Sequence, residues 1–219
     1  MTRRSAIGSV IQSKMRIRAL SRTLEYVLVF VGIGTLAYLS AMLLTANVYQ
    51  LNGRRELSRA LQAKAVRQAN AVVVPSSAKS KPEEPTLGAM IGSLAIPRLG
   101  LSTVVVEGEG DRELKVAAGH IPGTSLPGQR GNVGIAAHRD TFFRPLRRIR
   151  ENDAITVTTL SGEFRYRVVS TAIVKPDNVR VLFPSKTETL TLVTCYPFNF
   201  VGPAPRRFIV RAERLLVNP

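Results

Sequence analysis

Cysteine is almost missing from this chain: Cys195 is the only one in 219 residues. A single thiol excludes an internal disulfide framework and a metal site built on several cysteines. Histidine is nearly as scarce, with only His120 and His138, so a His/Cys metal centre would have to use nearly all three side chains. Tryptophan is absent and aromatic residues make up 6% of the chain. No RNA-binding or zinc-finger pattern is present, and nucleic acid is not an expected partner. Acid is in short supply: 15 Asp and Glu stand against 31 Lys and Arg, a net charge of +16. The excess is divided. Residues 1–88 hold 13 basic and 4 acidic residues, and residues 89–219 hold 18 and 11. A balance of this kind suits anionic lipid or an anionic wall polymer.

One long stretch lacks charge altogether. Tyr26–Leu44 is 19 residues without Asp, Glu, Lys or Arg, which as a helix covers roughly 28 Å, about the hydrocarbon thickness of a bilayer. A cleaved signal peptide has a shorter apolar region and a small-residue cleavage site, and Leu44-Thr45-Ala46 is a poor one. An uncleaved anchor is therefore expected over residues 26–48. Six basic residues and no acid precede Glu25, which favours a cytoplasmic N-terminus over residues 1–25. Arg54, Arg55, Arg59, Lys64 and Arg67 follow the span and weaken that asymmetry. Residues 49–88 read as a stalk helix rich in good helix formers, then a Pro/Ser linker. Leu57, Leu61 and Lys64 share one thin face, so the helix is expected to be solvated.

From residue 89 to 219 the texture is mainly β. Short runs at Leu94–Ile96, Ser102–Val106, Val133–Ala137, Ala154–Leu160, Phe164–Val174, Thr189–Thr194 and Phe208–Ala212 are separated by turn residues. Helical turns are expected at Asp111–Ala118 and Asp140–Ile149. Many short strands in one domain point to a single barrel or sandwich.

Cys195 lies at the end of the β-branched and leucine run Thr189–Thr194, just before Tyr196-Pro197, which stops a strand. A free cysteine usually packs as a small hydrophobe; a nucleophile needs a base or cation nearby. His138 follows the strand Asn132–Ala137, and its same-face neighbours Gly134 and Ala136 are small enough to leave room for a substrate. His120 lies in a turn-rich loop, Gly119–Thr124, where holding the loop is its alternative role. Position favours His138. If the strand that opens at Arg206-Arg207 pairs with the one that ends at Cys195, Arg207 comes to the thiol, and alternation sets Arg207, Ile209 and Arg211 on one face.

These residues together resemble the sortases, cysteine transpeptidases of bacterial surfaces. Thr191-Leu192-Val193-Thr194-Cys195 fills the family's Thr-Leu-x-Thr-Cys motif. Arg207 takes the place of its arginine a dozen residues later. Ala136-Ala137-His138-Arg139-Asp140 matches its histidine segment, and Gly119-His120 with Gly123–Gly128 its other shared loop. The similarity covers roughly residues 91–216. The N-terminal span, His138-Arg139-Asp140-Thr141-Phe142-Phe143 and Cys195-Tyr196-Pro197-Phe198 look most like class D. Alanine stands at 137 where a glycine often precedes the histidine.

The resemblance implies a closed eight-stranded sortase-type β-barrel with short helices, behind an N-terminal transmembrane helix. It implies catalytic Cys195, His138 and Arg207, with Thr194 and His120 as substrate-binding residues. The substrates implied are secreted proteins ending in a Leu-Pro-x-Thr-Gly-like sorting signal. The acceptor implied is an amine of the cell surface or a pilin lysine. The barrel would lie outside the plasma membrane, held by a single-pass anchor in contact with membrane lipids. No cofactor is expected, although Glu107-Gly108-Glu109-Gly110-Asp111 has the oxygen ligands of a calcium loop; a solvated turn is the competing reading. The same residues would also serve a membrane-anchored cysteine peptidase with water as acceptor. A non-catalytic wall-binding barrel would not need all three residues.

Overall fold

The computed structural model describes residues 3–70 and 85–215. Most of the proline- and serine-bearing linker lies outside the described residues. The first element is one helix, α1 (Arg3–Asn70). The chain divides into two compact units, Met1–Thr45 and Ala46–Pro219. In the first, residues 25–41 expose every side chain, as an apolar helix without protein partners does. Within α1, Glu25–Val66 contains a window of mean hydropathy 2.3, long and apolar enough to cross a membrane. The Thr35 and Thr45 hydroxyls donate back to the carbonyls of Val31 and Ala41 within the helix.

The second unit is built on a closed barrel of eight strands: β1 (Met90–Ile96), β2 (Leu101–Glu107), β3 (Ala118–His120), β4 (Asn132–Ala136), β5 (Ala154–Thr159), β6 (Gly162–Val174), β7 (Thr189–Tyr196) and β8 (Arg206–Arg214). Around the wall the order is β1-β2-β3-β4-β7-β8-β6-β5, closing β5 onto β1. The β2–β3 and β4–β7 pairs are parallel and the rest antiparallel. Alternation fills the interior: Leu94 and Ile96, Val133 and Ile135, Ile155 and Val157, Leu190 and Leu192, Val210 and Ala212 form one buried cluster. Each such branched side chain contributes about 1.5–3 kcal/mol when fully buried. Leu99, Phe143 and Leu146, from the connections after β1 and β4, join the same cluster.

The structure differs from the sequence-based expectation in four places. β3 is too short for alternation to reveal it. The turn expected over Asp111–Ala118 is a helix of only four residues, α2 (Asp111–Leu114), with Gly110 at its N-cap. The chain must straighten by Gly119, where a Cβ would lie 2.1 Å from the Gly108 carbonyl oxygen. The turn expected over Asp140–Ile149 is a 3-10 turn at Arg144–Arg148 with Pro145 in its first turn, where a missing N–H does no harm.

The fourth difference is the stalk. It is helical but not solvated all round. Gln50 is buried and Leu57 is 5% exposed. The Gln50 side chain accepts from the Val104 N–H at 2.8 Å and donates to the Val116 carbonyl at 2.7 Å, filling both valences of a gap beside β2. Arg54 donates to the Ser102 carbonyl and Lys64 to that of Leu160. A second apolar cluster, Val104, Val106 and Ala117, is backed by Met90 and Val116. Gly53 packs on it so closely that a Cβ would meet Val104 at 2.9 Å.

Candidate active site

Strand polarity assembles the site. β4 and β7 run parallel with Ala136 beside Val193, so both strands end at the same barrel rim. β8 returns antiparallel with Arg207 directly opposite Cys195. Opposed residues on an antiparallel pair share a face, with Cβ atoms about 4.5–5.5 Å apart. That face is the outer one, because Leu190, Leu192 and Val210 take the interior. On it lies a cleft of about 390 Å³, bordered by Ala136, His138, Cys195, Arg207 and Ile209 on the barrel and by Val179, Val181 and Leu182 from the β6–β7 connection.

Four of the five expected site residues border this cleft: Cys195, His138, Arg207 and Thr194. Cys195 is a free thiol, half-buried. His138 is also half-buried. Its backbone is fixed, because its carbonyl accepts from the Phe143 N–H. The Thr194 hydroxyl donates to the Ala137 carbonyl at 2.7 Å, which joins the residue before the thiol to the residue before the imidazole. Arg207 donates through one Nη to the carbonyls of Ala204 and Arg206 at 3.3 and 3.2 Å. Among the described residues its other N–H groups make no hydrogen bond.

His120 is not part of the cleft. It is 2% exposed, with Nδ1 2.7 Å from Glu107 Oε2 and Nε2 3.1 Å from both the Ser125 carbonyl and the Thr124 hydroxyl. Both ring nitrogens are occupied in holding the loop. The bond at Nδ1 engages Oε2 of Glu107, the first residue of the acidic turn considered for calcium. Among the described residues no group of three or more His, Cys, Asp or Glu converges as a metal cage. Gly134 also departs from expectation: its open side is filled by Leu182, Thr124 and Ile121, each within 3.2 Å of where a Cβ would stand. Ala136, the other small residue on that face, does border the cleft.

Two further residues shape the site without a signal in the sequence. Asn132 accepts from Thr189 and Thr191 and donates to the carbonyls of Val181 and Phe183, pinning the connection that forms the far wall. Arg139 donates to the carbonyls of Phe200 and Gly202 and lies over the Phe200 ring. It thereby ties the loop between Cys195 and Arg207 to the segment that carries His138. Their partners lie about 50 and 60 residues away in sequence, beyond any local pattern.

Comparison with known proteins places the barrel in a family. The Sortase domain family model matches residues 94–215. Sortase D of Bacillus subtilis is 34% identical over 133 residues, covering 60% of this chain and 67% of that protein. Sortase A of Streptococcus agalactiae is 30% identical, covering 57% and 52% respectively. Among solved structures, a Sortase D5 transpeptidase of Clostridium perfringens is similar with a TM-score of 0.57 and 27% identity, covering 73% of this chain and 98% of that one. The fold and the family are those of the cysteine transpeptidases. This chain belongs to the sortase family, and the Bacillus relative supports class D.

Proposed function

We propose that the protein is an anchored transpeptidase in which Cys195 is the nucleophile, His138 the acid and base, and Arg207 the cation that meets the oxyanion or positions the peptide. The substrate is the C-terminal sorting signal of a secreted protein, of the Leu-Pro-x-Thr-Gly type. The Cys195 thiolate attacks the threonine carbonyl; a C–S bond forms and the C–N bond to glycine breaks. His138 delivers its proton to the departing amine. An incoming amine, from the cell surface or a pilin lysine, then gives its proton to His138 and displaces the thiolate, making a new amide. Thr194 holds the two strand ends together beneath these groups. The observation that carries the reading is the cross-strand pairing of Cys195 with Arg207 in a cleft also bordered by His138.

In this reading residues 1–25 are cytoplasmic, 26–48 cross the plasma membrane once, and 49–88 lead to an extracytoplasmic catalytic barrel at 89–219. An alkaline phosphatase fused after Pro219 is then active in bacterial cells; signal only from a cytoplasm-dependent reporter overturns the orientation. For the chemistry, the full chain in detergent micelles is incubated with a Leu-Pro-x-Thr-Gly peptide, with and without excess amine. An amide product that needs the amine, and a thioester mass on Cys195, are expected. Cleavage that yields only the free acid in excess amine assigns a peptidase instead.

A further inference from the structure

A second hollow lies on the barrel away from the cleft, and its chemistry differs. β1 ends where β7 ends, by the chain of antiparallel pairings through β5, β6 and β8. The 3-10 turn Pro97–Leu99 after β1 and the turn Arg144–Arg148 before β5 therefore close the same rim that carries Cys195. β1 and β5 stand three strands from β4 and β7 in either direction round the wall. Between the two turns is a hollow of about 500 Å³, bordered by Arg98, Leu99, Arg147, Arg148, Ile149 and Arg150. It shares no residue with the catalytic cleft.

Leu99 is buried and Ile149 half-buried, while the four arginines are exposed, so the hollow has an apolar floor and a cationic rim. One of the four is already matched. Arg98 forms a fork with the Asp153 carboxylate and also donates to the Arg148 carbonyl. Asp153 in turn accepts from the Arg150 N–H at 2.8 Å, and the Ile149 N–H bonds to the Leu146 carbonyl. The backbone under the rim is thus fixed by its own bonds. Asp153 and the exposed Glu151 are the neighbouring carboxylates. Among the described residues, the guanidinium groups of Arg147, Arg148 and Arg150 have no ion pair or hydrogen bond.

Three unmatched like charges on a fixed segment, Arg147–Arg150, repel one another, and an anion removes that cost. All three are arginine, whose planar fork matches phosphate oxygens in pairs. The hollow is concave, which a flat bilayer surface meets poorly and a flexible chain enters readily. Several cations in one hollow also favour a ligand that repeats its charge, because each later contact forms at high effective concentration. We propose that this hollow binds successive phosphates of a phosphodiester polymer at the cell surface. The ligand seats on one wall of the barrel and leaves the peptide cleft on the other wall open. The cell-surface source of the polymer rests on the outward orientation proposed above; the binding test does not.

The test uses the full chain in phosphatidylcholine nanodiscs, titrated with fluorescent poly(glycerol phosphate) at several salt concentrations. Replacing Arg147, Arg148 and Arg150 together by Gln should weaken binding by about tenfold or more and flatten the slope of log affinity against log salt by roughly two to three. The three Arg→Lys changes should give an intermediate loss, since charge stays and the fork goes. Arg112→Gln, Lys115→Gln and Arg130→Gln, together, remove the same charge from exposed sites elsewhere and should change affinity less than about twofold. Equal weakening by the two Gln triples reduces the effect to net charge and overturns the proposal, as does unchanged binding in the first triple. Loss of polymer binding in discs rich in phosphatidylglycerol assigns the hollow to lipid headgroups and overturns it too. Should the triple melt early, the single Gln variants decide: each should flatten the salt slope by about one, and three unchanged slopes reject the site.

Discussion

The two histidines stand close in the fold and behave as opposites. β3 and β4 are paired antiparallel; His120 ends β3, and His138 lies two residues beyond the end of β4. His120 is enclosed, with Glu107 on one nitrogen and Thr124 and Ser125 on the other. His138 is half-open to the cleft, and among the described residues its ring makes no hydrogen bond. An imidazole that must take and release a proton needs an unoccupied nitrogen near the reacting atoms. An imidazole saturated by its own fold can only hold that fold in place. The residue type is the same, and what differs is which neighbours reach the ring.

The comparison is broken most severely at His138. His138→Ala should abolish peptide turnover and leave the melting temperature near that of the parent, whereas His120→Ala should keep measurable turnover. Comparing initial rates and thermal melts of the two variants checks this; a silent His138→Ala would reverse the assignment. The next effect is expected at the cation facing the thiol. Arg207→Lys keeps the charge and loses the fork, so kcat should fall about 100-fold or more, as when an oxyanion donor is removed elsewhere. Arg206→Lys, which lies on the alternate face and is exposed, should be mild. If Arg206 were the sensitive one, the register between β7 and β8 would have the wrong functional meaning. The smallest effect concerns stability. His120→Ala leaves the buried Glu107 carboxylate without its partner, at a cost of about 1–3 kcal/mol, read as a lower denaturant midpoint. Adding Glu107→Gln to His120→Ala should recover part of the loss, since a neutral amide is cheaper to leave unpaired than a carboxylate. No recovery in the double variant would show that the pair is not what holds the loop.

Much of the site was legible because its elements are local. The run Thr189–Thr194 announces a strand by residue type, and a thiol at its end follows from position alone. Alternation put Arg207 and Ile209 on one face of β8, and both border the cleft. The family motif then suggested the role proposed for each. Other features were not legible. Nothing local marks β3, whose three residues are a strand only because β2 and β4 flank them. Leu57, Leu61 and Lys64 form so thin a face that it read as solvated; Leu57 is nevertheless buried, and Gln50 bonds the edge of β2.

By itself the sequence determined what needs only neighbours along the chain: the apolar 26–44 span, the β texture from residue 89 onward, and the short list of candidate reactive groups. The tertiary structure decided what depends on residues far apart. It opposed Arg207 to Cys195, enclosed His120 against Glu107, filled the space beside Gly134 with Leu182, and pinned the cleft's far wall through Asn132. Period and propensity follow from each residue's own backbone and side chain. Pairing, burial and hydrogen-bond partnership are properties of two sites at once, and they take their values only when the barrel closes.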